Sequence, residues 1–287
     1  MILRNRVIWS DNGTLKDISE NMNNHISGDQ VIPIVAAEDY IFLGSDAPFN
    51  HRWIEIETVN DTASRISIDI WDGDEWQAAV EVIDQTLNSA GDTTLARSGR
   101  LIWVPDKYEP GWLRDDTTNE SGSDTITGLG NVTIYDMYWA RLSFSADVNV
   151  LTELSFLGYK FANDEDLISI YPEFGTSEAL ARFKDGITNF DQVHFEAAKE
   201  VLRNMKATQI IRSENQVLEW EILRTPAIHK AAELIYSAYG TDWLEERTLA
   251  ITRFKDAMKV KSFYTDQNFD ATLSPVELNL RVNRMER

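Results

Sequence analysis

The sequence predicts an α+β chain. An N-terminal antiparallel β-sandwich, jelly-roll-like, is expected over residues 1–164, a helical bundle domain over 165–262, and an extended C-terminal arm over 263–287. Three observations carry this. Short runs before residue 161 alternate apolar and polar with a period of two, which sets successive side chains on opposite faces of a strand. Between residues 177 and 261, apolar residues recur at helical spacing behind capping residues. After Pro275 the alternation returns, on a chain end with no neighbouring strand.

Each element follows from its residues. Tyr40, Ile41, Phe42 and Leu43 form an aromatic-aliphatic run that ends at Gly44. Ile54 and Ile56 share a face of the run 53–57, and Ile66, Ile68 and Ile70 alternate against Ser67 and Asp69. Further runs at 76–83, 99–104, 138–144 and 154–161 are separated by turn-forming stretches such as SDAPFN, NDTAS, NSAGD and PDKYEPG. Such a series of short strands with polar turns favours two packed antiparallel sheets. The stretch from Leu113 to Asn131 holds few large apolar groups and reads as a long loop, either functional, mobile, or ordered by a neighbouring chain.

Asp191 suits the N-cap of a helix starting at Gln192, with Phe190 and Phe195 at staple positions. Phe195, Ala198, Leu202 and Met205 then recur along one side. Thr225-Pro226 opens a second helix with the stripe Ile228, Ala231, Ala232, Ile235 and Ala238, and Gly240 stops it. Asp242 and Glu245 fit a capping box for a third, on which Trp243, Ala250, Ile251, Phe254 and Met258 share a face. Three amphipathic helices with short connections predict a small bundle, with Trp243 and Phe254 in its core. In the arm, Val276, Leu278, Leu280 and Val282 alternate with Glu277, Asn279 and Arg281. A strand needs an edge to pair with, either the chain's own sheet or another subunit's.

The formal net charge of the 287 residues is −20. Residues 1–161 carry 11 Lys+Arg against 26 Asp+Glu, and residues 162–287 carry 16 against 21. This balance repels phosphate backbones and argues against sequence-reading nucleic-acid binding. It suits solubility, or a surface that DNA passes without sticking. No run of eighteen apolar residues occurs, so no membrane helix is expected. The opening MILRNRVIWSDNG lacks the apolar stretch of a signal peptide. Cysteine is absent, which excludes disulfides, thiolate metal sites and cysteine nucleophiles and fits synthesis in a cytoplasm.

The stretch WDGDEW, residues 71–76, poses the sharpest question. Asp72-Gly73 suits a two-residue hairpin turn with Trp71 and Trp76 as a cross-strand pair. Alternatively Trp71, Trp76 and Trp112 form an exposed carbohydrate platform, or Asp72, Asp74 and Glu75 hold calcium, although the spacing departs from the EF-hand pattern. Of the histidines His25, His51, His194 and His229, none are spaced as paired metal ligands on a helix. His194 and His229 read as packing residues. Neither a nucleophile elbow nor a phosphate loop is present, and GLGN at 128–131 lacks the rest of a dinucleotide fingerprint. Acidic pairs such as Asp115-Asp116 and Asp164-Glu165-Asp166 are expected by chance in so acidic a chain. No catalytic residue, cofactor or metal is expected, and no enzyme activity.

The pattern YIFLGSDAPFNHRWIEIETVNDTASRISIDIWDGDEW, followed by LARSGRLIWVPDKYEPGW and YWARLSFSAD, resembles β-sandwich modules of tailed-phage structural proteins. The stretch FDQVHFEAAKEVLRNMKATQII through HKAAELIYSAYG and the third helix resembles helical head–tail connector (adaptor) proteins. The resemblance covers roughly residues 40–260 and rests on pattern, and the aromatic sandwich exceeds the minimal helical adaptors. It implies a virion neck component made in the host cytoplasm, a ring-shaped homo-oligomer commonly of about twelve subunits. Its implied partners are further copies of itself, the portal protein, and tail, neck or fibre proteins. Genomic DNA is implied only as a non-specific passenger through the channel, and no membrane. The arm residues Val276, Leu278, Leu280 and Val282 are the expected portal contact. The alternative is a carbohydrate-binding module of a fibre or baseplate.

Overall fold

The computed structural model describes residues 5–24, 30–104, 126, 128–129 and 137–259. Val276, Leu278, Leu280 and Val282, together with Trp112, His25, Asp115-Asp116 and most of the 113–131 loop, lie outside the described residues. The chain divides into two compact units between Gly158 and Tyr159, ahead of the expected boundary at 164/165.

The first unit holds eleven strands among its described residues: β1 (Asn5–Asp11), β2 (Thr14–Asp17), β3 (Gln30–Val31), β4 (Tyr40–Ser45), β5 (His51–Thr58), β6 (Ile66–Trp71), β7 (Trp76–Ala78), β8 (Val80–Asp84), β9 (Gly99–Val104), β10 (Tyr138–Phe144) and β11 (Glu153–Gly158). One short helix, α1 (Ser19–Met22), follows β2. The strands form two antiparallel sheets, ordered β2-β1-β4-β10-β6-β7 and β3-β11-β5-β9-β8. A single apolar cluster draws on both: Val7, Ile41, Ile68 and Leu142 from the first, Ile54, Leu101, Trp103 and Leu154 from the second. A second cluster, Ile8, Phe42, Trp71 and Trp139 with Ile126, Leu129 and Met137, covers the opposite face of the six-stranded sheet. Burial on both faces explains why Tyr40 to Leu43 reads as a continuous apolar run instead of alternating.

Several expectations need correction. The β1–β2 hairpin adds two strands ahead of those expected; Asn12-Gly13 between apolar runs is its hairpin signal, and both residues take positive φ, 49° and 76°. The run 76–83 is two strands. Ala79 bonds back to the Ile68 carbonyl, Glu81 takes φ 52°, and the chain crosses from one sheet to the other. The run 154–161 ends as a strand at Gly158, and Phe161 belongs to the core of the second unit.

The second unit contains α2 (Asp164–Ile170), α3 (Ser177–Phe183), α4 (Asp191–Ala207), α5 (Arg224–Tyr239) and α6 (Leu244–Met258), so two short helices precede the three expected. Their caps are standard. Asn163 and Asp166 make a reciprocal capping box on α2, and the Thr176 hydroxyl accepts the Ala179 N–H on α3. The long helices begin differently from expectation. Asp191 lies inside α4, which Phe190 precedes without a side-chain cap, and the Asp191 carboxylate accepts from Lys160 instead. Short 3₁₀ turns, Trp220–Leu223 and Thr241–Trp243, lead into α5 and α6, so neither Thr225 nor Asp242 caps. Pro226 still falls in the first turn of α5, where its missing N–H costs nothing. Gly240 ends α5 at φ 94°. Helix α5 packs against both α4 and α6. Its face Ile228, Ala231, Ala232 and Ile235 meets a cluster that includes Val201, Ala250, Phe254 and Met258.

Candidate functional site

The loop between β6 and β7 spans four residues, Asp72 to Glu75, and Trp71 pairs with Trp76 at its base. It is therefore longer than the expected two-residue turn. The Asp72 carboxylate accepts the N–H groups of Asp74 and Glu75 at 2.9 and 2.8 Å. Gly73 takes φ 103°, which only glycine adopts without strain. Desolvation, the largest single influence, pulls the Asp72 carboxyl up, but the N–H donors of Glu75 and Asp74, with the Gln77 side chain, together outweigh it and hold the group below the usual carboxylate range. The carboxylate stabilises its own turn, as Asx turns do. Among the described residues, no group of three His, Cys, Asp or Glu side chains could hold a metal ion.

The rings divide in role. Trp71 is 1% exposed, so its faces are closed to a ligand. Trp76 is half-buried, edge-on to Trp71 at 5.4 Å and tilted against Phe42 at 5.6 Å. The Arg141 guanidinium lies 4.9 Å from the Trp76 ring and 5.0 Å from that of Tyr40. Asp69 fixes Arg141 through Nε and a terminal nitrogen at 3.1 and 2.7 Å. This arrangement covers the outer face of the six-stranded sheet. It leaves no flat row of tryptophans among the described residues.

Two polar clusters sit in the second unit. His194 is fully buried on α4, and its Nε2 meets Asp164 Oδ1 at 2.9 Å. Asp164 also accepts the Phe190 N–H at 3.3 and 3.2 Å. Burial raises the Asp164 carboxyl; the His194 bond, with the Phe190 N–H and the nearby Lys160, pulls it below its ordinary range. A carboxylate on an imidazole is half of a catalytic triad. Here Nδ1 of His194 has no hydrogen-bond partner among the described residues. What the pair does is tie the first turn of α2 to the start of α4.

In the second cluster, His229 on α5 holds the Tyr171 hydroxyl at its Nδ1, 2.9 Å away, with the two rings perpendicular. The Tyr236 hydroxyl donates to Glu173, and that of Tyr239 donates to the Ala179 carbonyl at 2.8 Å. Trp243 stacks on Tyr236 at 5.7 Å and 18°. Burial raises the tyrosine hydroxyls above their ordinary value, most for Tyr236, where Glu173 adds to it. Burial, with Arg253 nearby, lowers His229. Each of these hydroxyls is held in a hydrogen bond within the cluster.

His51 opens β5 beside Arg52 and is buried with it. Burial first, then the charges of Arg100 and Arg52, push the imidazole well below its ordinary value. Arg52 lies 3.6 Å over the Phe49 ring, and Arg100 lies 5.5 Å from that of Trp53. Sequence reading did not single out this basic cluster, since its members come from two strands, β5 and β9, whose starts lie far apart in the sequence. Compared with protein-family models, curated proteins and solved structures, the chain matches none.

Proposed function

We propose that the chain is a structural, non-enzymatic neck component of a tailed phage, an adaptor ring between portal and tail whose lumen passes DNA. The observation that carries this reading is the strand order. Taking β3, β4, β5, β6, β7, β9, β10 and β11 as eight successive strands, one sheet reads β3-β11-β5-β9 and the other β4-β10-β6-β7. We read that order as a jelly roll, a fold used in viral shells and in lectins. The β1–β2 hairpin extends one sheet and β8 the other. On this reading α4, α5 and α6 form a bundle whose neighbours are further copies of the same unit, and the 276–282 arm pairs with the portal.

Three further features favour assembly over catalysis or sugar binding. The polar clusters of the second unit spend their hydrogen bonds internally. Trp71, one of the three rings offered to the carbohydrate alternative, is buried in the cluster on its own sheet. The net charge of −20 lets a DNA duplex slide past without adhering. Deleting residues 265–287 tests the arm directly: the shortened protein is expected to fold and to lose portal binding. Unchanged portal binding by the shortened protein contradicts that role.

A further inference from the structure

Eleven large apolar side chains are exposed among the described residues, and they are not evenly spread. Val35 at 45%, Val59 at 48%, Val150 at 67% and Leu151 at 65% stand on three loops at one end of the first unit. These loops follow β3, β5 and β10, and hydrogen bonds hold them side by side. Val148 N–H donates to the Ile34 carbonyl at 3.0 Å and Ala36 N–H to Asp147 Oδ1 at 3.0 Å. On the other flank, Asn149 donates through its backbone N–H to Asn60 Oδ1 at 3.0 Å and through Nδ2 to Asp61 Oδ1 at 2.6 Å.

The tip itself is a tight turn. Thr152 N–H returns to the Asn149 carbonyl at 2.9 Å, and Asn149 Oδ1 accepts the Leu151 N–H at 2.9 Å. Asn149 alone satisfies this turn, and its central positions ordinarily take Pro, Asp, Gly, Asn or Ser. The side chains of Val150 and Leu151 make none of these bonds. Two of the largest apolar exposures of the chain thus occupy positions where local structure asks for polar residues. An exposed apolar patch framed by polar groups marks an interaction surface.

The frame is acidic. The three loops carry exposed Glu38, Asp61 and Asp147 against one exposed base, Arg65, and Arg65 lies close enough to Asp92 on the adjoining loop to act on its charge. Two such tips meeting would bring carboxylates against carboxylates, in a chain already at −20. Like charges across an interface oppose association. The same frame repels anionic membrane surfaces.

We propose that the Val35–Val59–Val150–Leu151 tip docks a partner protein that presents an apolar stripe flanked by lysine or arginine. This surface is independent of the neck reading and stands or falls separately from it. The test uses the full chain with labelled valine and leucine methyl groups. It is titrated with a synthetic helical peptide that has a leucine stripe flanked by lysines. The expected result is resonance shifts at Val35, Val59, Val150 and Leu151, binding that weakens with salt, and affinity about tenfold lower for the same peptide with glutamine in place of lysine. The pair Val150→Ser with Leu151→Ser should abolish the shifts at Val35 and Val59 while core methyl signals stay in place. Absence of shifts at the tip overturns the proposal, as does equal binding of the glutamine peptide. So do tip shifts produced by phosphatidylglycerol vesicles or by the chain's own self-association in their place.

Discussion

Single side chains decide how the acidic stretches at 71–76 and 164–166 are to be read. Trp71 fills the outer cluster of the six-stranded sheet, and replacing it with alanine should cost about 3–5 kcal/mol in a denaturant titration, as large buried aromatics do. Asp164 serves two donors at once, so Asp164→Ala should destabilise the second unit by about 1–3 kcal/mol by leaving the Phe190 N–H and His194 Nε2 unpaired. The acidity of His229 makes a pH prediction. Its folded value lies below its unfolded one, so the unfolded chain takes up the proton first as pH falls. The stabilisation is complete above a pH of about 6.5 and is lost progressively below it. Urea midpoints measured from pH 7 to pH 5 should therefore fall less steeply for His229→Gln than for the parent chain; a parallel fall contradicts the assignment. Asp164 acts in the same direction at lower pH, since its depressed value gives stability that disappears as pH drops through the carboxylate range.

Elements were legible where one principle dominated. The alternation of Ile66, Ile68 and Ile70 gives β6, and the stripe from Ile228 to Ile235 with Gly240 behind it gives α5. Boundaries were less legible because competing partners intervene: Asp191 leaves its capping duty for Lys160, and 3₁₀ turns replace side-chain caps ahead of α5 and α6. The split of 76–83 into β7 and β8 is set by the crossing between sheets, which no local pattern encodes. Of the candidate site, the Trp71–Trp76 pairing was readable from the turn, whereas burial of Trp71 under Phe42 and Trp139 depends on residues distant in sequence. Close backbone approach offers a test at this scale. A Cβ on Gly99 would lie 2.5 Å from the Gln85 carbonyl oxygen, where the chain enters β9. Gly99→Ala should lower stability by about 1–3 kcal/mol through displaced backbone, read as a shift in thermal midpoint. Gly13→Ala, in open space but at φ 76°, should cost only about 1 kcal/mol.

The whole molecule joins a strand-rich unit and a helical unit, each with its own apolar core. Its acidity is concentrated in residues 1–161, where 26 carboxylates face 11 basic groups. A neck ring built from such a chain should assemble through surfaces that bury little charge and should keep an acidic lumen; a basic lumen in the assembled particle contradicts the DNA-passage role. The central claim is self-assembly around an axis, and electron microscopy of the purified full-length protein measures it most directly. Closed rings with an axial opening wide enough for duplex DNA are the expected result. A population of isolated, self-contained monomers at every concentration examined, with and without portal, contradicts it.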